Sequence, residues 1–122
     1  MKQRSLLAMI TAAPEKINLS SDLEKIKNRI LHLRRAILLH SCIYYRFGNS
    51  FITDEEFDRR AYELKDLQRD YPDLSRSILE LYREFQDWDA TTGFRLPTED
   101  PDLIRKAAYY NAHWEQFREE IY

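Results

Sequence analysis

Apolar positions recur along this chain at helical spacing. Leu23, Ile30, Ile37 and Tyr44 form one heptad row, and Ile26, Leu33, His40 and Phe47 form a second. The pattern predicts one long amphipathic helix ending near Phe47, with N-caps offered by Ser20, Ser21 and Asp22. A second helix, from about Asp54 to Asp70, buries Phe57, Ala61, Leu64 and Leu67. Pro72 stops it, and Asp73 or Ser75 caps a third helix that runs to about Asp87 and buries Leu74, Ile78, Leu81 or Tyr82, and Phe85. Residues 91–97 read as a loop. Asp100 and Pro101 open a last helix, whose stripe is Leu103, Ala107, Tyr110, Trp114, Phe117 and Ile121. Only the short stretch around Gly48, Asn49 and Ser50 separates the first two helices, so they are expected to form an antiparallel αα-hairpin turning at 48–51, with Gly48 at positive φ. The predicted class is all-α, a small domain of about four helices around that central hairpin. Residues 1–19 are expected to form an arm or short helix, and residues 20–122 a single domain, with the hairpin region at 20–74 and two C-terminal helices at 75–122.

Composition sharpens this picture in a few places. Two glycines in 122 residues leave little room for turn-rich β architecture. The net charge of −2 supplies no global basic field for nucleic acid, so direct duplex binding is not expected. One cysteine, Cys42, excludes an internal disulfide framework, fits a reducing cytoplasm and reads as inert packing. The start of the chain has a basic Met1–Arg4 stretch and a short apolar run. Ser5 and Thr11 interrupt that run, and Leu6, Ile10 and Ala13 keep helical spacing, so a docking helix or loose arm is expected. No stretch approaches the roughly twenty apolar residues of a membrane span.

Several apparent motifs carry no chemistry. Asp87, Asp89 and Thr91 have the spacing of an aspartate-nucleophile phosphatase loop, but they follow an amphipathic helix and not a buried strand. As a calcium loop the same stretch has its glycine one position late and no glutamate at the twelfth. His32, His40 and His113 share no ligand spacing, and His40 reads as a core histidine. Lys25, Lys27, Arg29, Arg34 and Arg35 make a basic side of the first helix, expected to be solvated.

One cluster remains. Thr53 is a good N-cap with Glu56 three residues on, as in a capping box. Asp54 and Asp58 lie four apart on one helical face near a positive helix end, where each is favoured by roughly 0.3–1 kcal/mol. Tyr44 and Tyr45 close the preceding helix. Aromatics at one helix end would face carboxylates at the start of the next, giving either a small ligand site or a packed corner.

In order, Tyr44-Tyr45, Ile52-Thr53-Asp54, Phe57-Asp58, Glu63-Leu64, Leu67 and Tyr71-Pro72-Asp73-Leu74 resemble the small helical N-terminal subdomain of bacterial NAD-dependent DNA ligases, over roughly residues 21–74. That subdomain grips the nicotinamide mononucleotide half of NAD. The resemblance implies a ligand site at Tyr44, Tyr45, Asp54, Phe57 and Asp58. Phe57 departs from the family's usual tyrosine, keeping a stacking face and losing a hydroxyl. The Lys-x-Asp-Gly motif of the nucleotidyltransferase domain does not occur in this sequence, so the chain is expected not to be an enzyme, with no catalytic residue and no metal. Two roles follow from the resemblance. One is a non-catalytic module binding NAD or nicotinamide mononucleotide. The other is a phage or prophage protein that reuses the scaffold to bind or inhibit a host or defence protein, in the cytoplasm of a bacterial host.

Overall fold

The structure is a computed structural model, which describes residues 19–90 and 96–116. The expected N-terminal arm, and Phe117 and Ile121 of the expected last stripe, lie outside the described residues. Among those described there are five helices and no strand: α1 Leu19–Phe47, α2 Asp54–Asp70, α3 Pro72–Ser77, α4 Tyr82–Phe85 and α5 Pro101–Ala112. The all-α class and the central hairpin are as the hydrophobic pattern predicts. Ser21 and Asp22 stand inside the first turns of α1, which already begins at Leu19, so they do not cap it from outside.

The organising element is α1, which has a partner on each of two sides. On one side Ile26, Ile30, Leu33, Ile37 and Leu38 join Ala61, Leu64 and Leu67 of α2, then Ile78, Phe85, Ala90 and Leu96 from the segments that follow. On the other, Ala36, Leu39, Cys42 and Ile43 meet Ala107 of α5, flanked by Phe47, Phe51, Ile104, Tyr110 and Trp114. The two heptad rows thus understate the burial, because every residue from Ala36 to Ile43 is buried. A helix covered on all sides is apolar on all sides, apart from polar groups with a specific neighbour. His40 is one of these. It is 5% exposed and sits edge-on to Trp114 with ring centroids 5.5 Å apart. Burial depresses its imidazole to about pKa 4. Burial also pushes the Cys42 thiol up, as expected for an inert core sulfur, and the thiol faces the Thr98 carbonyl at 3.8 Å.

The basic side of α1 is only partly a solvated face: Lys25 and Arg35 are exposed, but Arg34 is not. Arg34 is completely buried. Its Nε donates to Gln68 Oε1 at 2.9 Å. Nη1 donates to the carbonyls of Ile78 and Glu80, both at 2.9 Å, and Nη2 to the carbonyl and hydroxyl of Ser75 at 3.1 and 2.8 Å. Five acceptors match the five N–H donors of a guanidinium. Burial holds the group below the usual arginine range, and Tyr82 and the carboxylates of Glu84 and Glu80 oppose that shift. Arg29 forms a two-pronged pair with Glu63 at 2.6 and 2.8 Å, and Arg35 a similar, more exposed pair with Glu80 at 2.5 and 2.6 Å. Burial alone would raise the Glu63 carboxyl, but Arg29 and Arg60 together hold it below its usual value.

This arginine explains where the predicted third helix fails. Instead of one helix to about Asp87, α3 ends at Ser77, Ile78 turns extended, and Leu81 enters the left-handed region at φ 61° before α4. The carbonyls of Ser75, Ile78 and Glu80 are the ones an unbroken helix would use for its own ladder. Here they turn towards Arg34. Gln68 completes the tie by donating from Nε2 to the Phe85 carbonyl at 3.1 Å.

Two outcomes follow. Arg34→Ala leaves buried carbonyls without donors and should lower the urea-unfolding free energy by about 3–5 kcal/mol, with Arg34→Lys recovering only part because an ammonium has three donors. His40 has a folded pKa below its unfolded value of about 6.5. The unfolded chain therefore binds the extra proton, and the stability His40 contributes is present above pH 6.5 and lost as pH falls to about 4. The loss is up to about 3 kcal/mol, and the pH slope of unfolding in that window should flatten in His40→Gln.

Candidate functional site

The hairpin end is built by three local devices. Gly48 sits at φ +67°, the left-handed conformation that closes α1, and its N–H donates to the Tyr44 carbonyl at 3.1 Å. Thr53, extended at φ −70° and ψ 158°, caps α2 by accepting from the Glu56 N–H at 3.1 Å. Between them, α5 and the residues just after it fix the turn. Asn49 Nδ2 donates to Asn111 Oδ1 at 2.6 Å, and Phe51 stacks on Trp114 with centroids 4.6 Å apart and planes 15° apart. The turn that separates the aromatic pair from the carboxylates is therefore held from outside the hairpin.

The five residues singled out from sequence all lie at this end. Tyr44 and Tyr45 occupy the last turn of α1, with rings 5.0 Å apart and nearly perpendicular. Tyr44 is 56% exposed, so it is not the core residue its heptad row suggests. Phe47 at the end of α1 still packs against the second cluster, while Tyr44, Tyr45 and Arg46 are left exposed. Asp54 and Asp58 are exposed on the first turns of α2, and among the described residues neither carboxylate makes a salt bridge. Phe57 is half-buried and packs against the main core. It braces the start of α2 as much as it offers a ring face. The structure thus brings the pair of tyrosines together and sets both aspartates on one helical face, with two exposed rings and two unengaged acids at one end of a rigid hairpin.

A second feature escaped sequence reading. A cleft of about 300 Å3 lies beside the α2–α3 corner and α4, at the other end of α2. Its residues come from segments that the core and the Arg34 network bring together, and no short motif marks them. Among the described residues no group of histidine, cysteine and acidic side chains is arranged to hold a metal ion. None of the described helices is long and apolar enough to cross a membrane.

Comparison with known proteins falls on the same stretch. Residues 23–77 match the family described as DNA ligase-like, N-terminal NAD+-binding domain. The DNA ligase of Pseudothermotoga lettingae is 45% identical over 51 residues, which are 42% of this chain and 8% of that protein. The DNA ligase of Brachyspira hyodysenteriae is 32% identical over 75 residues, 53% of this chain and 11% of the ligase. That of Leptospira biflexa is 42% identical over 52 residues, 43% of this chain and 8% of the ligase. The chain therefore spans about a tenth of the length of these relatives or less. The family match covers the NAD+-binding subdomain and no catalytic domain. No solved structure matches the chain.

The turn's construction can be tested on its own. Thr53→Ala removes the cap and should cost about 1 kcal/mol. Gly48→Ala meets no atom within 4 Å and pays only for its positive φ, again roughly 1 kcal/mol. Urea titration of both variants should show these losses with an unchanged far-ultraviolet helix signal.

Proposed function

We propose that the hairpin end is a non-catalytic binding site for the nicotinamide mononucleotide half of NAD. The observation that carries this reading is the exposure of Tyr44, Tyr45, Asp54 and Asp58 together on a turn held by α5, within the stretch matching the NAD+-binding subdomain. Tyr44, Asp54 and Asp58 are exposed to solvent at this end, and stacking on a cationic pyridinium ring suits electron-rich aromatic faces. Asp54 and Asp58 accept hydrogen bonds from ribose hydroxyls or from the carboxamide. Phe57 contributes its ring and the stiffness of the first turn of α2. In this reading the protein holds the ligand and performs no chemistry on it.

A second reading treats the scaffold as a protein-interaction module, of the kind a phage would direct at a host or defence protein. What favours it is the number of large apolar side chains at the surface. Leu79 is 85% exposed, and Tyr62 and Tyr109 are about half exposed. The two readings separate cleanly by titration.

Calorimetric titration with nicotinamide mononucleotide should show saturable binding to the wild-type chain. Asp58→Ala should weaken it about tenfold or more, the worth of one charge-assisted hydrogen bond of about 1.5–3 kcal/mol. Tyr44→Ala should weaken binding without unfolding the domain, since the ring is exposed, and Phe57→Tyr should preserve or strengthen it. Absence of wild-type binding up to millimolar ligand leaves only the interaction module. An adenylated lysine in the mass spectrum after incubation with NAD would overturn the non-catalytic part.

A further inference from the structure

The cleft beside α3 and α4 is separate from the hairpin end and has a chemistry of its own. Three cations line it, Lys65 and Arg69 from α2 and Arg76 from α3, and no carboxylate is among its described lining residues. Two aromatic rings, Tyr82 and Trp88, share the lining. Trp88 is half-buried and held edge-on against Phe85 at 5.1 Å. Its ring is therefore fixed in place by the core.

Arg34 stands one hydrogen bond behind this surface. Gln68 and Ser75 line the cleft and also accept from the Arg34 guanidinium. All five acceptors of that buried cation are neutral groups, so its charge is not cancelled by a hydrogen-bonded carboxylate. Glu80 and Glu84 contribute a partial counter-field, and Glu80 is already engaged by Arg35.

The rim cations do have acidic neighbours. Arg69 pairs with Asp66 and Asp70 at 3.1 Å, and Arg76 with Asp73. The arginine side chains in these pairs are more than half exposed. Ion pairs of this kind are weakly held, and a phosphate offers arginine a better two-pronged acceptor. The volume of about 300 Å3 sits at the small end of ligand pockets, roughly 300–1,000 Å3.

We propose that this cleft is a second binding site, and that it takes a nucleoside monophosphate or a like phosphorylated ring compound. The phosphate lies against Arg69, Arg76 and Lys65, and the ring lies against Trp88 and Tyr82. Gln86 is placed to hydrogen-bond the ring edge. Neither the cations nor the rings belong to the hairpin-end site, so this assignment stands or falls without it.

The test is titration of the full chain with adenosine monophosphate, adenosine and inorganic phosphate, read by calorimetry and by tryptophan fluorescence. Adenosine monophosphate should bind saturably and perturb Trp88, with adenosine and phosphate each at least about tenfold weaker. Arg76→Gln lies on the surface and should weaken binding about tenfold with an unchanged melting temperature, while Asp58→Ala should leave it unaltered. No saturable binding at millimolar nucleotide would overturn the proposal. So would binding that survives Arg76→Gln but is lost in Asp58→Ala, which would place the nucleotide at the hairpin end. Phosphate binding as tightly as the nucleotide would overturn the role of the rings. An acidic peptide binding where the nucleotide does not would make the cleft a protein-docking surface instead.

Discussion

A single buried guanidinium sets the shape of half this molecule. Arg34 enters the core from the middle of α1 and takes five acceptors from Gln68, Ser75, Ile78 and Glu80. Burying a cation is tolerable only when its donors are matched, and side chains alone do not supply enough acceptors here. Backbone carbonyls supply most of them, and carbonyls are free for this only where a helix is broken. The interruption between α3 and α4, the extended Ile78 and the left-handed Leu81 follow from that requirement. The same interruption opens the cleft beside α4.

At the other end of α1 a different constraint operates. The hairpin turn is short, and its geometry is set by Gly48 and Thr53 and then locked by Asn111 of α5 and by Trp114 just beyond that helix. Residues 101–116 lie beyond the stretch similar to DNA ligases, yet they hold the turn from which Tyr44, Tyr45, Asp54 and Asp58 project. The two flanks of α1 thus divide the work. The α2 flank, with Arg29 and Arg34, fixes the body of the hairpin, and the α5 flank fixes its tip.

Much of this was legible in the sequence. Heptad rows located α1 and α2, the Gly48 and Thr53 signals located the turn, and Pro101 located the start of α5. What periodicity could not reveal was the fate of Arg34, because an arginine off the hydrophobic rows looks the same whether it is solvated or buried with five acceptors. The unbroken third helix was expected for the same reason, since Leu74, Ile78, Leu81 and Phe85 keep helical spacing across a break made by a distant side chain. Tyr44 lies on a heptad row and is nonetheless exposed, so row membership alone does not decide burial near the end of α1. The hairpin-end residues were found through their resemblance to a family, and the cleft, assembled from three segments, had no local signature.

The central claim is that the exposed rings and acids at the hairpin tip form a ligand site. It is tested most directly by nuclear magnetic resonance of isotope-labelled protein during titration with nicotinamide mononucleotide. The account predicts saturable shifts concentrated in the last turn of α1 and in residues 53–58, with the amides around Arg34 and the α3–α4 break unmoved. Spectra that stay unchanged at millimolar ligand, or shifts confined to the far end of α2, would contradict it.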